Sequence, residues 1–477
     1  MRFLVSGLAA ALCVSSTAAQ RPPVTPVLAH DHWSVAALRR LETALPAAAR
    51  DAGASSLTHD DAIDRFRALA ANTIRPEFAA RAAVYLERFL EEFPLAQTNQ
   101  FYARNATAGF LNAKGRAGPG AGFIRDEDWT GALPLPALNT TYAALEAGGS
   151  LNPIAAQLSI AYDGDWSWDE THALLQWRNV ELWGGRRAIR FGPAESGFVL
   201  SGNAQFNGGG FQLARPVFLP SLLRHLGPFD FETFASRLEQ NGLRKQPWFW
   251  GARFSIQPIP TLTLGLNRAS IFAGEGQDAS ILNLLEMFAG GYGGESGEFE
   301  NQVVSADAHL AIRGKQPLEL YVEWAADDAS GMWQKAPAIT LGAIAGWPAA
   351  FAAIERAVMY PRPKCCNTYW YRNTFFRGSW SKDDVPLGHE LGGHGTQTSL
   401  RFGVEALEAR FRMTGHLVMR DRGEENLYAP EREGRSYGFE AKGFLRFQRT
   451  QAEWSGQFED GNGWQSHQYR IGLRAYF

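Results

Sequence analysis

The chain has 477 residues, with 46 basic against 49 acidic side chains and a net charge of -3, so no global field draws it toward nucleic acid. Its 49 glycines, 15 tryptophans and 31 phenylalanines fit a membrane barrel with glycine-rich turns and aromatic rims. A helical membrane protein is disfavoured because the longest uncharged stretch after the first residues, Ala336 to Ile354, is broken by Pro337, Gly342, Gly346 and Pro348.

Residues 1–19 read as a secretory signal. Arg2 is the basic start, Phe3 to Val14 the apolar run, and Ser16, Thr17, Ala18 and Ala19 the small residues before cleavage. The mature chain is expected to begin near Gln20. Cys13 follows Leu12, where lipoprotein processing would need a small residue, so no lipid anchor is expected.

Residues 20–95 are expected to form a small helical bundle. Trp33, Ala37, Leu38 and Leu41 have helical spacing. Thr58 with Asp61 opens a second helix carrying Ile63, Phe66 and Leu69. Pro76 opens a third, with Phe78, Ala82, Tyr85, Phe89 and Phe93 recurring at three and four.

From residue 96 the period changes to two. Trp248, Trp250, Ala252, Phe254 and Ile256 oppose Arg253, Ser255 and Gln257; Leu262, Leu264 and Leu266 oppose Thr261, Thr263 and Asn267; Leu318, Leu320, Val322 and Trp324 oppose Glu319, Tyr321 and Glu323. Ala336 to Ile354 is read as two strands around the turn at 346–348. The chain ends with Tyr469, Ile471, Leu473, Ala475 and Phe477 alternating with Arg470, Gly472, Arg474 and Tyr476, one row for lipid and one for a lumen. Roughly 375 residues at about 20 per strand and connection give 16 to 20 strands, an even number in a bacterial barrel. The fold class is a transmembrane antiparallel β-barrel over residues 96–477. With Phe477 at the periplasmic rim, counting backward puts the charged connections near Asp460 to Gly463, Asp421 to Gly434 and Gly378 to Gly395 outside, and those near Arg449 and Ala406 to Glu408 inside.

Several motifs invite chemistry and fall short of it. His389-Glu390-Leu391-Gly392-Gly393-His394 spaces its histidines by five, where a zinc protease needs four. Asp163, Asp165, Asp169 and Glu170 form an acidic turn, since Trp168 and Leu174 occupy the places of the glycine and the final glutamate of a calcium loop. Gly290, Gly291, Gly293, Gly294 and Gly297 lack the strand-to-helix setting of a phosphate loop. Cys365 and Cys366 are adjacent, which disfavours a disulfide between them and leaves a structural role. No catalytic residue, metal or cofactor is expected.

One face does gather cations. Opposite Ala409, Phe411, Met413, Gly415, Leu417 and Met419 lie Arg410, Arg412, Thr414, His416, Val418 and Arg420, and neighbouring segments add Arg401, Lys442, Arg446, Arg470 and Arg474. In a narrow lumen this stripe either focuses field on an anionic ligand or is neutralised by Glu405, Glu440, Glu453, Glu319 and Glu323. Arg401, Arg410, Arg412, His416, Lys442, Arg446, Arg470 and Arg474 are therefore candidate lumen contacts for glycan, and Trp380, Lys382 and His389 candidate contacts in an external loop.

The chain is similar to the capsule assembly protein Wzi family of outer-membrane proteins. The similarity lies in His32-Trp33, Leu226-Gly227-Pro228-Phe229-Asp230-Phe231, Gly251-Ala252-Arg253-Phe254 and Leu264-Gly265-Leu266-Asn267-Arg268. It continues in Gly274-Glu275-Gly276, Glu300-Asn301-Gln302 with Asp307, Tyr369-Trp370-Tyr371-Arg372 and Leu387-Gly388-His389. The resemblance implies a barrel of about eighteen strands, a periplasmic helical bundle, a lumen closed by the protein itself, and a lectin-like role in holding capsular polysaccharide. The chain departs from the family pattern at Gly392, Gly393 and His394, where an acidic residue is expected.

The expected partners are capsular or exopolysaccharide, outer-membrane lipid and, through Phe477, the barrel assembly machinery; the barrel is expected to be a monomer in the outer membrane of a Gram-negative bacterium. Two other functional classes stand beside glycan tethering. A porin-like channel with a basic constriction would select anionic solutes, and an outer-membrane hydrolase or lipid A modifying enzyme would lose activity on replacement of His389 or His416.

Overall fold

The computed structural model describes residues 24–29, 32–45, 57–94, 100–114, 140–162, 166–219, 221–238, 240–241, 244–274, 300–327, 337–359, 370–371, 380–382, 385–424, 426–427 and 432–477. The signal segment, Asp163, Asp165, the glycines at 290–297 and Cys365–Cys366 lie outside them.

Three helices come first. In α1 (Trp33–Ala44), His32 is the N-cap, its ring accepting from the Ser34 backbone N–H. In α2 (His59–Ala70), Thr58 caps the start by accepting from the Asp61 N–H at 3.3 Å, with Asp60 and Asp61 favourably placed in the first turn. Pro76 opens α3 (Pro76–Glu92), where its missing N–H costs nothing. Their apolar faces meet in one core of Trp33, Leu38, Leu41, Ile63, Phe66, Phe78, Tyr85, Phe89 and Phe93. Each such side chain contributes about 1.5–3 kcal/mol on burial.

Beside six two-residue strands in the connections, eighteen long strands forming the barrel wall follow among the described residues, counted from the pairings. They are β1 (Phe101–Lys114), β2 (Thr140–Leu151), β3 (Ile154–Tyr162), β4 (His172–Trp177), β5 (Val180–Arg190) and β6 (Ser201–Leu213). Next come β7 (Pro228–Arg237), β8 (Trp248–Ile259), β9 (Leu262–Phe272), β10 (Glu300–Arg313), β11 (Pro317–Asp327) and β12 (Pro337–Trp347). The last are β13 (Ala350–Met359), β14 (Gly395–Ala406), β15 (Phe411–Arg422), β16 (Gly434–Phe447), β17 (Thr450–Gly461) and β18 (Trp464–Tyr476). Each pairs antiparallel with the next, and β18 returns to β1 through Tyr476↔Asn105 to His467↔Lys114. The closed ring leaves no sheet edge in lipid, which is why a barrel can span a bilayer without a long apolar helix. Among the described residues no helix is long and apolar enough to cross a membrane.

The period-two reading holds on the last strand. Tyr469, Ile471 and Leu473 are more than half exposed on the outer face, whereas Arg470 and Arg474 are buried within. The uncharged stretch forms β12 and β13 around the turn Trp347↔Ala350. One end of the barrel has mostly tight connections, such as 259–262, 347–350 and 447–450, with one long one at 213–228, and the other has most of the long ones with one tight turn at 461–464, the arrangement of periplasmic and external ends.

The helices sit at the tight-turn end. Arg81 donates to the Pro348 carbonyl at 3.1 Å and Arg88 to the Ala409 carbonyl at 3.0 Å. At the other end a second apolar core fills the barrel interior, joining Phe191, Phe198, Val199, Leu200, Trp370, Tyr371, Trp380, Leu387 and Leu391 to Phe249, Ile271, Val303 and Met359 of the wall.

Candidate functional site

The lumen is filled in three tiers. At the external end Trp380 is fully buried, stacked on Tyr371 at 6.2 Å between ring centres and edge-on to Phe249 at 5.6 Å. The Tyr371 hydroxyl donates to the Phe198 carbonyl at 2.7 Å and accepts from the His389 N–H at 2.8 Å. Trp380 Nε1 donates to the Val199 carbonyl at 3.2 Å. Burial pushes the His389 imidazole below its ordinary value, so it stands neutral against the Phe198 ring at 5.2 Å. Burial opposes ionisation of Glu390 as well, but the Arg420 guanidinium 3.0 Å away outweighs it and holds the carboxyl down to about 2.

The middle tier is the connection between β5 and β6. Phe191-Gly-Pro-Ala-Glu-Ser-Gly-Phe198 turns inward, Gly192 at φ +98 allowing a bend that a side chain would resist. Ser196 Oγ accepts from the Glu390 N–H at 2.8 Å, the Glu195 N–H donates to Glu355 at 3.0 Å, and the Glu195 carboxylate pairs with Arg401. The third tier is α1. Arg39 pairs with Glu319, which also meets His309 at 3.2 Å, and Arg40 reaches Glu405 at 3.3 Å.

The cationic stripe is neutralised in place. Arg412 lies 3.8 Å from Glu405, Lys442 3.4 Å and His416 3.8 Å from Glu440, and Arg474 3.1 Å from Glu453. Arg446 reaches Glu91 at 3.7 Å and Glu92 at 4.0 Å on the third helix, and Arg470 lies over the Tyr142 ring at 5.8 Å. Glu323 accepts instead from the Phe198 N–H at 3.4 Å. The structure brings Arg401, His416 and Lys442 together around a cavity of about 20 Å³ that Glu195, Thr414 and Glu440 also line. Among the described residues Thr414 Oγ1 and His416 Nε2 have no hydrogen-bond partner, and the space admits a water-sized group rather than a sugar.

A second network holds the opposite wall. Arg253 donates to Asp307 at 2.6 Å and to Asn267 Oδ1 at 2.5 Å, while Asn267 Nδ2 donates to Ser305 at 2.9 Å. Gly265 is required beside it, because a Cβ there would come within 2.6 Å of Arg253 and Asp307. Arg253, Gly265, Asn267 and Asp307 carried the family resemblance on three separate segments and are joined here into one cluster.

The sequence profile described as Capsule assembly protein Wzi matches residues 138–462, from the second strand to the tip of the last hairpin. The chain belongs to the Wzi capsule assembly family. A Klebsiella pneumoniae protein described as an uncharacterized 55.8 kDa protein in the cps region is 26% identical over 232 residues; the match spans 42% of this chain and 45% of that relative. The Escherichia coli Wzi structure, described as an outer-membrane, carbohydrate-binding β-barrel involved in group 1 capsule assembly, superposes with TM-score 0.75 at 18% identity, covering 95% of this chain and 99% of the other. This Wzi-family protein is thus an outer-membrane barrel, its exposed row in lipid and its charged row inside.

Two of the expected site placements change. Trp380, Lys382 and His389 do not face the exterior; 0%, 7% and 0% exposed, they are built into the external plug, because their loop folds back into the barrel to bury its aromatics. Arg410 is exposed in the turn at the periplasmic end rather than in the lumen, since Leu407, Glu408 and Ala409 take left-handed backbone and break the alternation before Phe411. Ala409, expected on the outer row, is buried under the helices. The role of Glu195, Ser196 and Phe198 was not foreseen; the signal available was a Gly- and Pro-rich connection flanked by Phe191 and Phe198-Val199-Leu200, too apolar for a solvated loop.

Proposed function

We propose that this Wzi-family barrel is a non-enzymatic protein that binds and tethers capsular or other surface polysaccharide during capsule assembly. The observation that carries the reading is the filled lumen: Tyr371, Phe198 and Trp380 close the outer end and Arg39 of α1 meets Pro193 from the inner end. Among the described residues this packing occupies the barrel interior from both ends, which favours a ligand held on the external side over solutes passing through. The carbohydrate-binding description of the Escherichia coli relative supports the same assignment for this chain.

In this reading the luminal cations do not grip sugar. Arg401, Arg412, His416, Lys442, Arg446, Arg470 and Arg474 hold the wall, the inner connection and the helices in register, and Trp380, Lys382 and His389 belong to the external plug, with the polymer met on the external side of the barrel. Pull-down of purified capsular polysaccharide by the detergent-solubilised protein, with capsule retention scored in a deletion strain, tests the proposal. Loss of surface capsule and direct retention of polymer are expected. Large, stable, anion-selective steps in planar bilayers without polymer binding would replace it with the channel reading.

A further inference from the structure

The outer face of the barrel is apolar through its middle and becomes cationic at one level. Along the outward row of β9, Leu262, Leu264 and Leu266 lead to Arg268; on β13, Ala352 and Ile354 lead to Arg356; on β7, Phe231, Thr233 and Ala235 lead to Arg237; on β16, Phe439 and Tyr437 lead to Arg435. All four lie toward the end with the long connections. On the outward rows of these four strands no other Lys or Arg occurs among the described residues. This is where the hydrocarbon ends, since an outward cation costs about 2–4 kcal/mol at the bilayer centre and about 0–1 near the interface.

The surroundings of two of these arginines say what meets them. Arg356 is flanked by Leu341 across the β12 register and by Ile354 along its own strand, both more than half exposed, and Nη1 donates to the neutral Thr398 hydroxyl at 2.6 Å. Arg237 lies over the Trp248 ring at 5.2 Å and gives Nε to the Gln246 carbonyl at 3.1 Å. Among the described residues neither has a carboxylate partner. Arg268 lies over Trp250 at 6.0 Å and bonds Gln302, with Glu300 near; Arg435 is 3.9 Å from Asp421. Glu300 stands near Arg268, and Asp421 and Asp460 share the outward face beside Arg435, so Arg237 and Arg356 are the two of the four without a carboxylate partner among the described residues.

A planar guanidinium matches a phosphate with two parallel hydrogen bonds, and tryptophan settles at headgroup depth. We infer that Arg237 and Arg356, assisted by Arg268 and Arg435, hold the phosphates of an outer-leaflet glycolipid against the barrel wall. The arginines supply the fork, the tryptophans cover its stem, and the apolar row below receives the acyl chains. This contact is independent of any polysaccharide bound by the loops.

The test uses the full chain, delipidated in detergent and incubated separately with phosphorylated lipid A, its dephosphorylated form and phosphatidylglycerol. Lipid retained after gel filtration is counted by native mass spectrometry. Phosphorylated lipid A is expected to be retained, the dephosphorylated form lost, and the R237Q/R356Q double variant to retain about tenfold less. Equal retention of the two lipid A forms by the wild-type chain overturns the proposal whether or not the variant assembles. Preferential retention of phosphatidylglycerol, or unchanged retention by a folded double variant, also overturns it.

Discussion

Arg39 of the first helix donates a hydrogen bond, 2.8 Å long, to the carbonyl of Pro193, a residue of the connection that descends from the external end of the barrel. Elements from the two ends of the lumen therefore meet inside it. The same guanidinium pairs with Glu319 on the wall, so one side chain ties helix, inner connection and barrel together.

Replacing Arg39 with Ala is expected to loosen both tiers it joins. Glu319 is buried and loses its guanidinium partner, keeping His309 and Thr43 as polar neighbours, and the loss is expected to be about 3 kcal/mol. Hydrogen exchange should rise over 33–44 and 191–200 while the strands keep their protection. Adding E319Q removes the stranded charge and should recover part of the loss; unchanged exchange in R39A would show that the tie does not hold these segments.

Tyr371→Phe removes one oxygen that serves two hydrogen bonds, to the Phe198 carbonyl and from the His389 N–H. Leaving both buried backbone groups unmet costs about 1–3 kcal/mol each at most. The expected outcome is a barrel of normal mobility whose 387–391 loop is cleaved faster by protease. In planar bilayers brief openings should replace a silent trace.

Acid is expected to weaken the helical unit. Burial drives the His32 imidazole below its ordinary value and the His59 imidazole well below, while burial of Glu92 is outweighed by His32 and nearby arginines, which hold its carboxyl well below the usual range. Groups with lowered folded values bind fewer protons folded than unfolded. The histidine contribution is therefore complete above about 6.5 and falls as pH drops through the depressed values, and that of Glu92 is complete above about 4.3 and falls below it. Protection of 33–44 and 76–92, corrected for intrinsic exchange, should decline between pH 7.5 and pH 5. No decline would mean that the cap formed by neutral His32 Nδ1 on the Ser34 N–H tolerates protonation.

Gly342→Val should block assembly. A Cβ at this inward position on β12 would overlap the Tyr321 ring of β11, which is buried and donates to Glu355 at 2.6 Å. The heat-modifiable folded band should be lost on electrophoresis. Combining G342V with Y321A, which clears the space, should restore part of it.

The sequence made the elements legible where a local rule decides them. Thr58 and Pro76 mark helix starts, Tyr469 to Phe477 marks a lipid-facing strand, and the Gly346-Trp347-Pro348 turn divides an uncharged stretch into two strands. Arg410 was misplaced because three left-handed residues reset the alternation, and nothing in residue type announces that at Leu407 or Glu408. Trp380 and His389 were placed outside because a long connection carries no periodicity to say whether it folds outward or inward.

What the residue order determined by itself is the closed lipid-facing cylinder, the helical unit before it and the family, since spacing of apolar side chains and short motifs act over a few residues. Only the tertiary structure decided that the cations are spent within the wall and that the lumen is filled. Arg39 meets Glu319 across 280 positions and Glu195 meets Arg401 across the lumen. Such pairs follow from which strands stand opposite one another after closure, and a local pattern holds no information about that.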